Sequence, residues 1–272
     1  MTVVRADDLV KRYGELTALD GLSLAVEAGE LFGFLGPNGA GKTTTLEVLT
    51  GQLRPDGGEV SVLGTDPATE PIATRRVVGV LPEQGRPPSF LTPREFAEFV
   101  GTVRDLDDDT VADRLATWAE RLGYTEKLDT LCTDLSRGQQ QKVMVTAAFL
   151  HEPRVAFIDE PLANLDPIVQ ERLKRFLRSY VADGNTVFLS THHIEVAADL
   201  CTRVGIVDRG RLIAERVGDE VGSGEDLLAT FLEQVGDDEA GSERAADLAD
   251  VGRAEGTASD GPAARDVEGT AE

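Results

Sequence analysis

Lysine is scarce in this chain: of 27 basic residues only Lys11, Lys42, Lys127, Lys142 and Lys174 are lysines, and 49 acids leave a formal net charge of -22. So acidic a protein lacks the basic footprint that phosphate backbones require, so no nucleic-acid partner is expected. Its self-repelling surface suits a protein kept soluble at high salt. Cysteine is scarcer still. Cys132 and Cys201 stand far apart and outside any C-x-x-C spacing, which argues against a disulfide framework or a thiolate zinc site and points to a reducing cytoplasm. Both read as small apolar packing residues. Nor is there an apolar run near the roughly 20 residues of a membrane helix, and the segment from Met1 to Asp8 lacks the core of a signal peptide. The expectation is a soluble protein that reaches a membrane only through a partner. What is present, 272 residues of which 41% are hydrophobic, suffices for a sizeable core.

Short apolar runs alternate with helical patterns. Leu31 to Leu35, Val155 to Ile158, Thr186 to Leu189 and Val204 to Val207 read as strands buried on both faces, so the fold class is α/β with a mostly parallel sheet between helices. After Asp166-Pro167, the apolar positions Val169, Leu173, Phe176, Leu177, Tyr180 and Val181 mark one helix face that stops at Gly184. Strands are missing between about 90 and 150. There Thr92-Pro93-Arg94-Glu95 is a capping box, and helical patterns run to Pro153. Asp208-Arg209-Gly210-Arg211 signals a hairpin. From Gly236 onward, eleven acids, three Arg, no aromatic and no Ile predict a disordered acidic tail over 236–272.

Chemistry enters with Gly36-Pro37-Asn38-Gly39-Ala40-Gly41-Lys42-Thr43, a G-x-x-x-x-G-K-[ST] sequence set between an apolar strand and a run, beginning Lys42-Thr43-Thr44, that suits a helix. Glycines let several backbone N–H groups converge on a phosphate, Lys42 would neutralise β- and γ-oxygens, Thr43 would ligate Mg²⁺, and the helix start would add its positive end. Val155 to Glu160 is a buried strand ending in two carboxylates. In the same sheet, Asp159 would serve the metal and Glu160 would face the γ-phosphate.

These residues, with Leu135-Ser136-Arg137-Gly138-Gln139, resemble the ATP-binding cassette (ABC) ATPases. The resemblance covers about residues 1 to 215 and extends to Tyr13 (adenine stacking), Gln84 (a loop glutamine reaching metal and water), Ala163 to Asp166 (a segment crossing a dimer) and His192 (a γ-phosphate switch). It implies a RecA-like core over about 1–85 and 152–215, a helical subdomain over about 86–151, and a short extension over 216–235. Two head-to-tail copies, alike or different, would trap ATP and Mg²⁺ between P-loop and signature. Glu160, His192, Lys42 and Gln84 are the catalytic candidates. Tyr13, Gly36 to Thr44, Ser136, Gly138, Gln139 and Asp166 would bind nucleotide, and Thr43, Gln84 and Asp159 would hold metal. Helix capping alone also accounts for Ser136, Gln139 and Asp166. Arg137 departs from the family's usual Gly, and His193 reads as a neighbour pointing elsewhere.

The family role implied is energising a separate integral-membrane permease from the cytoplasmic face, with Gln84 to Phe90 lining the docking groove. The ending Leu228 to Gly236 resembles the branch serving multidrug or polysaccharide exporters. A non-transport ABC ATPase of translation or DNA repair is the alternative, though it usually carries tandem cassettes or a long insert and meets nucleic acid. A GTPase would need an N-K-x-D segment, which this sequence lacks.

Overall fold

The computed structural model describes residues 1–235 and 239–249. Two antiparallel strands open the chain, β1 (Thr2–Tyr13) and β2 (Leu16–Glu27), followed by β3 (Leu31–Leu35), α1 (Lys42–Leu49), β4 (Gly57–Val62), α2 (Pro71–Val77) and β5 (Val78–Leu81). Three helices then interrupt the strands: α3 (Pro93–Val103), α4 (Asp108–Leu122) and α5 (Arg137–Phe149). Strands and helices alternate through β6 (Val155–Asp159), α6 (Pro167–Ala182), β7 (Thr186–Thr191), α7 (Ile194–Leu200) and β8 (Arg203–Asp208). The described chain closes with β9 (Arg211–Val217), α8 (Gly224–Val235) and α9 (Glu239–Ala249).

The main sheet has the order β5-β6-β7-β3-β8-β9, parallel except for the β8–β9 hairpin. Its inner strands are apolar on both faces because alternate side chains enter different layers. Phe32, Phe34, Phe157 and Phe188 point to one face, where the other rings lie 5.3–5.7 Å from Phe188. Leu31, Leu35, Ala156, Ile158, Val187 and Leu189 point to the other. The phenylalanine face is covered by α1 and a second, antiparallel sheet of order β2-β1-β4, which the sequence reading did not separate from the parallel one. The signal was there as one-sided alternation: Leu22, Leu24 and Val26 are buried while Gly21, Ser23 and the flanking polar positions turn outward. The opposite face carries α3 to α7, of which α4, α5 and α6 are joined through Trp118, Phe149, Phe176 and Tyr180, whose rings meet at 4.6–5.7 Å. Each fully buried ring contributes about 1.5–3 kcal/mol of apolar burial.

The capping boxes at Thr92/Glu95 and Ser136/Gln139 and the Asp166 cap all form. The tail does not behave as composition suggested. Glu239–Ala249 is helix α9, and Ala245 and Leu248 are buried at 7% and 1% exposure in the layer that holds Leu227 and Phe231 of α8. The disordered-tail expectation is therefore corrected over this stretch, because two apolar residues one turn apart suffice where a neighbouring helix offers a matching face. The rest of the expected tail, 236–238 and 250–272, lies outside the described residues.

Candidate active site

Parallel pairing sets the ends of β6, β7 and β3 side by side. Asp159 pairs with Ser190 and Leu35 with Thr191, so the segments following all three strands emerge at one carboxyl edge, where α/β sheets bind ligands. From β3 the chain curls through Gly36 to Gly41 into α1. Gly41 stands at φ 103°, and a Cβ there would lie 2.6 Å from the Ala18 carbonyl oxygen, so only glycine fits. Ala40 is buried; its N–H donates to the Pro37 carbonyl (3.2 Å), and its own carbonyl accepts the Gly210 N–H (2.8 Å) from the β8–β9 turn. Lys42 folds back beneath the loop and donates to the carbonyls of Gly36 (2.6 Å) and Pro37 (3.0 Å). Burial pushes its ammonium pKa down, opposed by the carboxylates of Glu160 and Asp159.

Thr43 leaves its hydroxyl at the loop mouth, donating to Asp159 Oδ2 at 3.3 Å across 116 positions of sequence. Asp159 is only 3% exposed, and burial, with the like charge of Glu160 beside it, raises its pKa to about 6. A hydroxyl and a buried carboxylate at one spot are the oxygen donors a hard divalent cation takes, so the residues fit Mg²⁺. Glu160 follows at φ 46°, an uncommon angle for a side-chain-bearing residue, and its carboxylate is fully engaged. Oε1 accepts the His192 backbone N–H (2.7 Å) and meets His192 Nδ1 (2.6 Å), while Oε2 accepts the Thr191 hydroxyl (2.9 Å). Burial alone would raise the Glu160 pKa, but the hydrogen bonds and charge of His192 prevail and hold it below the usual carboxylate value. The same hydrogen bond raises the pKa of His192. His193 does not point elsewhere: its Nε2 lies 3.6 Å from Glu160 Oε2 and its ring 3.9 Å from that of His192.

One hollow of about 240 Å³ gathers Tyr13, Asn38, Gly39, Gly41, Lys42, Thr43, Thr44, Asp159, Glu160 and His192. Half-exposed Tyr13 offers its ring at the rim, with Lys11 Nζ 5.7 Å from the centroid. Glu83 lines the same hollow, and Thr191 holds Glu160; neither carries a motif that would single it out. Gln84 lines an adjoining hollow with Thr43 and Asp159, and a further one with Arg137, Gln140, Ala163 and Asn164. Ser136, Gly138, Gln139 and Asp166 are not among the residues lining the P-loop hollow. Ser136 and Gln139 cap α5, and Asp166 accepts the Val169 N–H (3.0 Å) and faces Lys142 Nζ at 3.6 Å. Gly138 is packed so closely on the 163–166 segment that a Cβ would lie 2.6 Å from the Asn164 carbonyl oxygen. Within one chain, then, its glycine serves a contact between signature and loop. Among the described residues no helix is long and apolar enough to cross a membrane.

A family model described as "ABC transporter" matches residues 19–163. The chain is 36% identical over 237 residues to a daunorubicin resistance ATP-binding protein of Streptomyces coeruleorubidus, covering 86% of this chain and 75% of that one. It is 36% identical over 213 residues to a Nod factor export ATP-binding protein of Ralstonia nicotianae, covering 78% and 66%. A solved ATP-binding subunit of an ABC transporter superposes with TM-score 0.80 at 28% identity over 86% of this chain and all of that one. A cassette solved in its ADP conformation superposes with TM-score 0.68 at 25% identity, covering 81% and 93%. These relatives favour the transport ATPase over a translation or DNA-repair ATPase. With this edge of the sheet and these matches, the chain belongs to the ABC transporter family as one of its ATP-binding, ATP-hydrolysing cassettes.

Proposed function

We propose that this cassette hydrolyses ATP at the β3–β6–β7 edge to drive an integral-membrane exporter permease, acting at the cytoplasmic face as a pair of cassettes. The observation that carries the chemistry is the convergence of Lys42, Asp159, Glu160 and His192 from three strand ends on one hollow. P-loop N–H groups and the start of α1 hold the polyphosphate, and Lys42 exchanges its two loop carbonyls for phosphate oxygens. Tyr13 receives the purine on its ring face. Thr43 and Asp159, with Gln84 alongside, would hold Mg²⁺, which supplies charge neutralisation at the transferring phosphate. Glu160 orients and deprotonates the attacking water once His192 gives up its hold on Oε1 and turns to the γ-phosphate. Ser136, Gly138 and Gln139 stand at the start of α5, away from this hollow, and in this reading that helix start completes the P-loop site of a second copy. The exporter assignment draws on the drug-resistance and Nod-factor-export relatives.

Glu160→Gln tests the reading. It keeps size and hydrogen bonding but removes the base, so steady-state ATP hydrolysis should drop by about 10²- to 10⁴-fold while ATP binding persists and a nucleotide-trapped dimer appears on sizing. Unimpaired turnover in that variant removes Glu160 from the mechanism.

A further inference from the structure

Helix α9 reaches back over 209 positions of sequence to the phosphate loop. Asp247 Oδ2 accepts the Asn38 backbone N–H at 2.6 Å, and Oδ1 accepts from the Asn38 side-chain amide at 3.1 Å. Two further contacts seat the helix. Arg244, one turn earlier, brings Nε to 3.4 Å from Oδ1 of Asp208, a largely buried residue at the end of β8. Ala245 and Leu248 form the adjoining stripe and enter the apolar layer with Leu227 and Phe231 of α8. At i, i+3 spacing, one stripe anchors the helix while the next presents a carboxylate to the loop.

Asn38 belongs to the loop whose N–H groups face phosphate, and it lines the same hollow as Lys42, Glu160 and His192. A carboxylate on one of those N–H groups is an anionic acceptor from within the chain. Its charge is felt inside the site, where Asp247 is among the acids favouring the protonated forms of Lys42 and His192. One N–H hydrogen cannot serve two anions at full strength, so a phosphate oxygen approaching Asn38 meets both competition and like-charge repulsion.

We propose that α9 is an autoinhibitory arm, in which Asp247 holds the Asn38 edge of the phosphate loop and must let go before the polyphosphate of ATP seats fully. The proposal rests on the P-loop being the nucleotide site. By linkage, whatever affinity ATP loses to the docked arm, the arm loses to ATP. Docking then sets how readily the cassette loads, and anything that peels α9 from α8, such as a partner surface taking up Leu248, would act as an activator.

The test uses the full chain and a non-hydrolysable ATP analogue with Mg²⁺. Asp247→Ala should tighten equilibrium binding about three- to tenfold, the share left to a charge-assisted hydrogen bond at a solvent-exposed edge. Leu248→Ala, which undocks the arm without touching the loop, should tighten binding in the same direction. In the unsubstituted chain the analogue should speed amide hydrogen exchange over Arg244 to Leu248. Unchanged or weakened affinity in Asp247→Ala, or exchange indifferent to the analogue, overturns the proposal. Lys42→Ala keeps the two readings apart. If it leaves binding intact, the P-loop assignment itself fails; if it abolishes binding while Asp247→Ala changes nothing, only the arm fails.

Discussion

At the residue scale the site is governed by how Glu160 is held. A buried carboxylate with three close hydrogen-bond partners and a histidine near each of its oxygens is well satisfied, which suits a resting base more than an active one. The ion pair leaves a pH signature whose sign follows from linkage. His192, raised above its ordinary 6.5, contributes stability in full below that value and loses it as pH climbs through the raised folded pKa. Glu160, held below its ordinary 4.5, contributes above that value and loses it as pH falls through the lowered one. The pair therefore stabilises most between about pH 4.5 and 6.5. The melting-temperature gap between the native chain and His192→Gln, measured without nucleotide, should be widest in that window and shrink as pH rises beyond 6.5. A gap constant from pH 5.5 to 8.5 would show that no charged pair forms. Asp159 titrates beside it with its pKa raised to about 6, so its ionisation disfavours the nucleotide-free fold as pH rises from 4 toward 6, and a bound cation relieves that cost.

At the element scale two junctions matter. One is the seam between α5 and the 163–166 segment, where Gly138 lets backbone meet backbone and Asp166 faces Lys142, so signature and loop pack directly on each other. The other is the seat of α9 on α8. Chains ending before Gly236 would lose the burial of Leu248 and Ala245 and uncover part of Leu227 and Phe231. At about 1.5–3 kcal/mol for a buried Leu and about 2–4 °C per kcal/mol in a chain of this size, truncation should lower the melting temperature by roughly 3–12 °C. Differential scanning fluorimetry reads this directly, and an unmoved transition would return α9 to the status of a solvated tail. Truncation should at the same time tighten nucleotide binding, since it also removes Asp247.

At the scale of the whole molecule, P-loop and signature line separate hollows of one chain, and in the proposed pair of cassettes they would meet across two copies. Lys42→Ala damages a chain's own pocket and Ser136→Arg damages its partner's, so each alone should leave a homodimer nearly inactive. In a mixed dimer both defects fall in one pocket and the other is intact, so mixing the two variants should restore activity, up to about half for randomly assorting chains. If mixing is verified and nothing returns, a crosslink between cysteines placed at 136 and at 39 of the second copy decides whether the pockets are coupled or not shared.

Much of this protein was legible in its sequence because the physics is local. A loop that wraps phosphate needs glycines within a few residues, a helix start needs its cap within one turn, and a doubly buried strand is apolar at every position. Gly36 to Thr43, the Thr92, Ser136 and Asp166 caps, and β3, β6, β7 and β8 follow from those short-range demands. The tertiary structure alone decided what lies far apart in the chain. Strand order put Asp159 against Thr43 and Glu160 against the adjoining rings of His192 and His193, and β1, β2 and β4 became a separate sheet because only one of their faces meets the core. Helix α9 is the plainest case. Composition averages 37 residues into a disordered tail, but order depends on whether a few apolar side chains find a complementary surface, and α8 supplies one for Ala245 and Leu248, bringing Asp247 to Asn38.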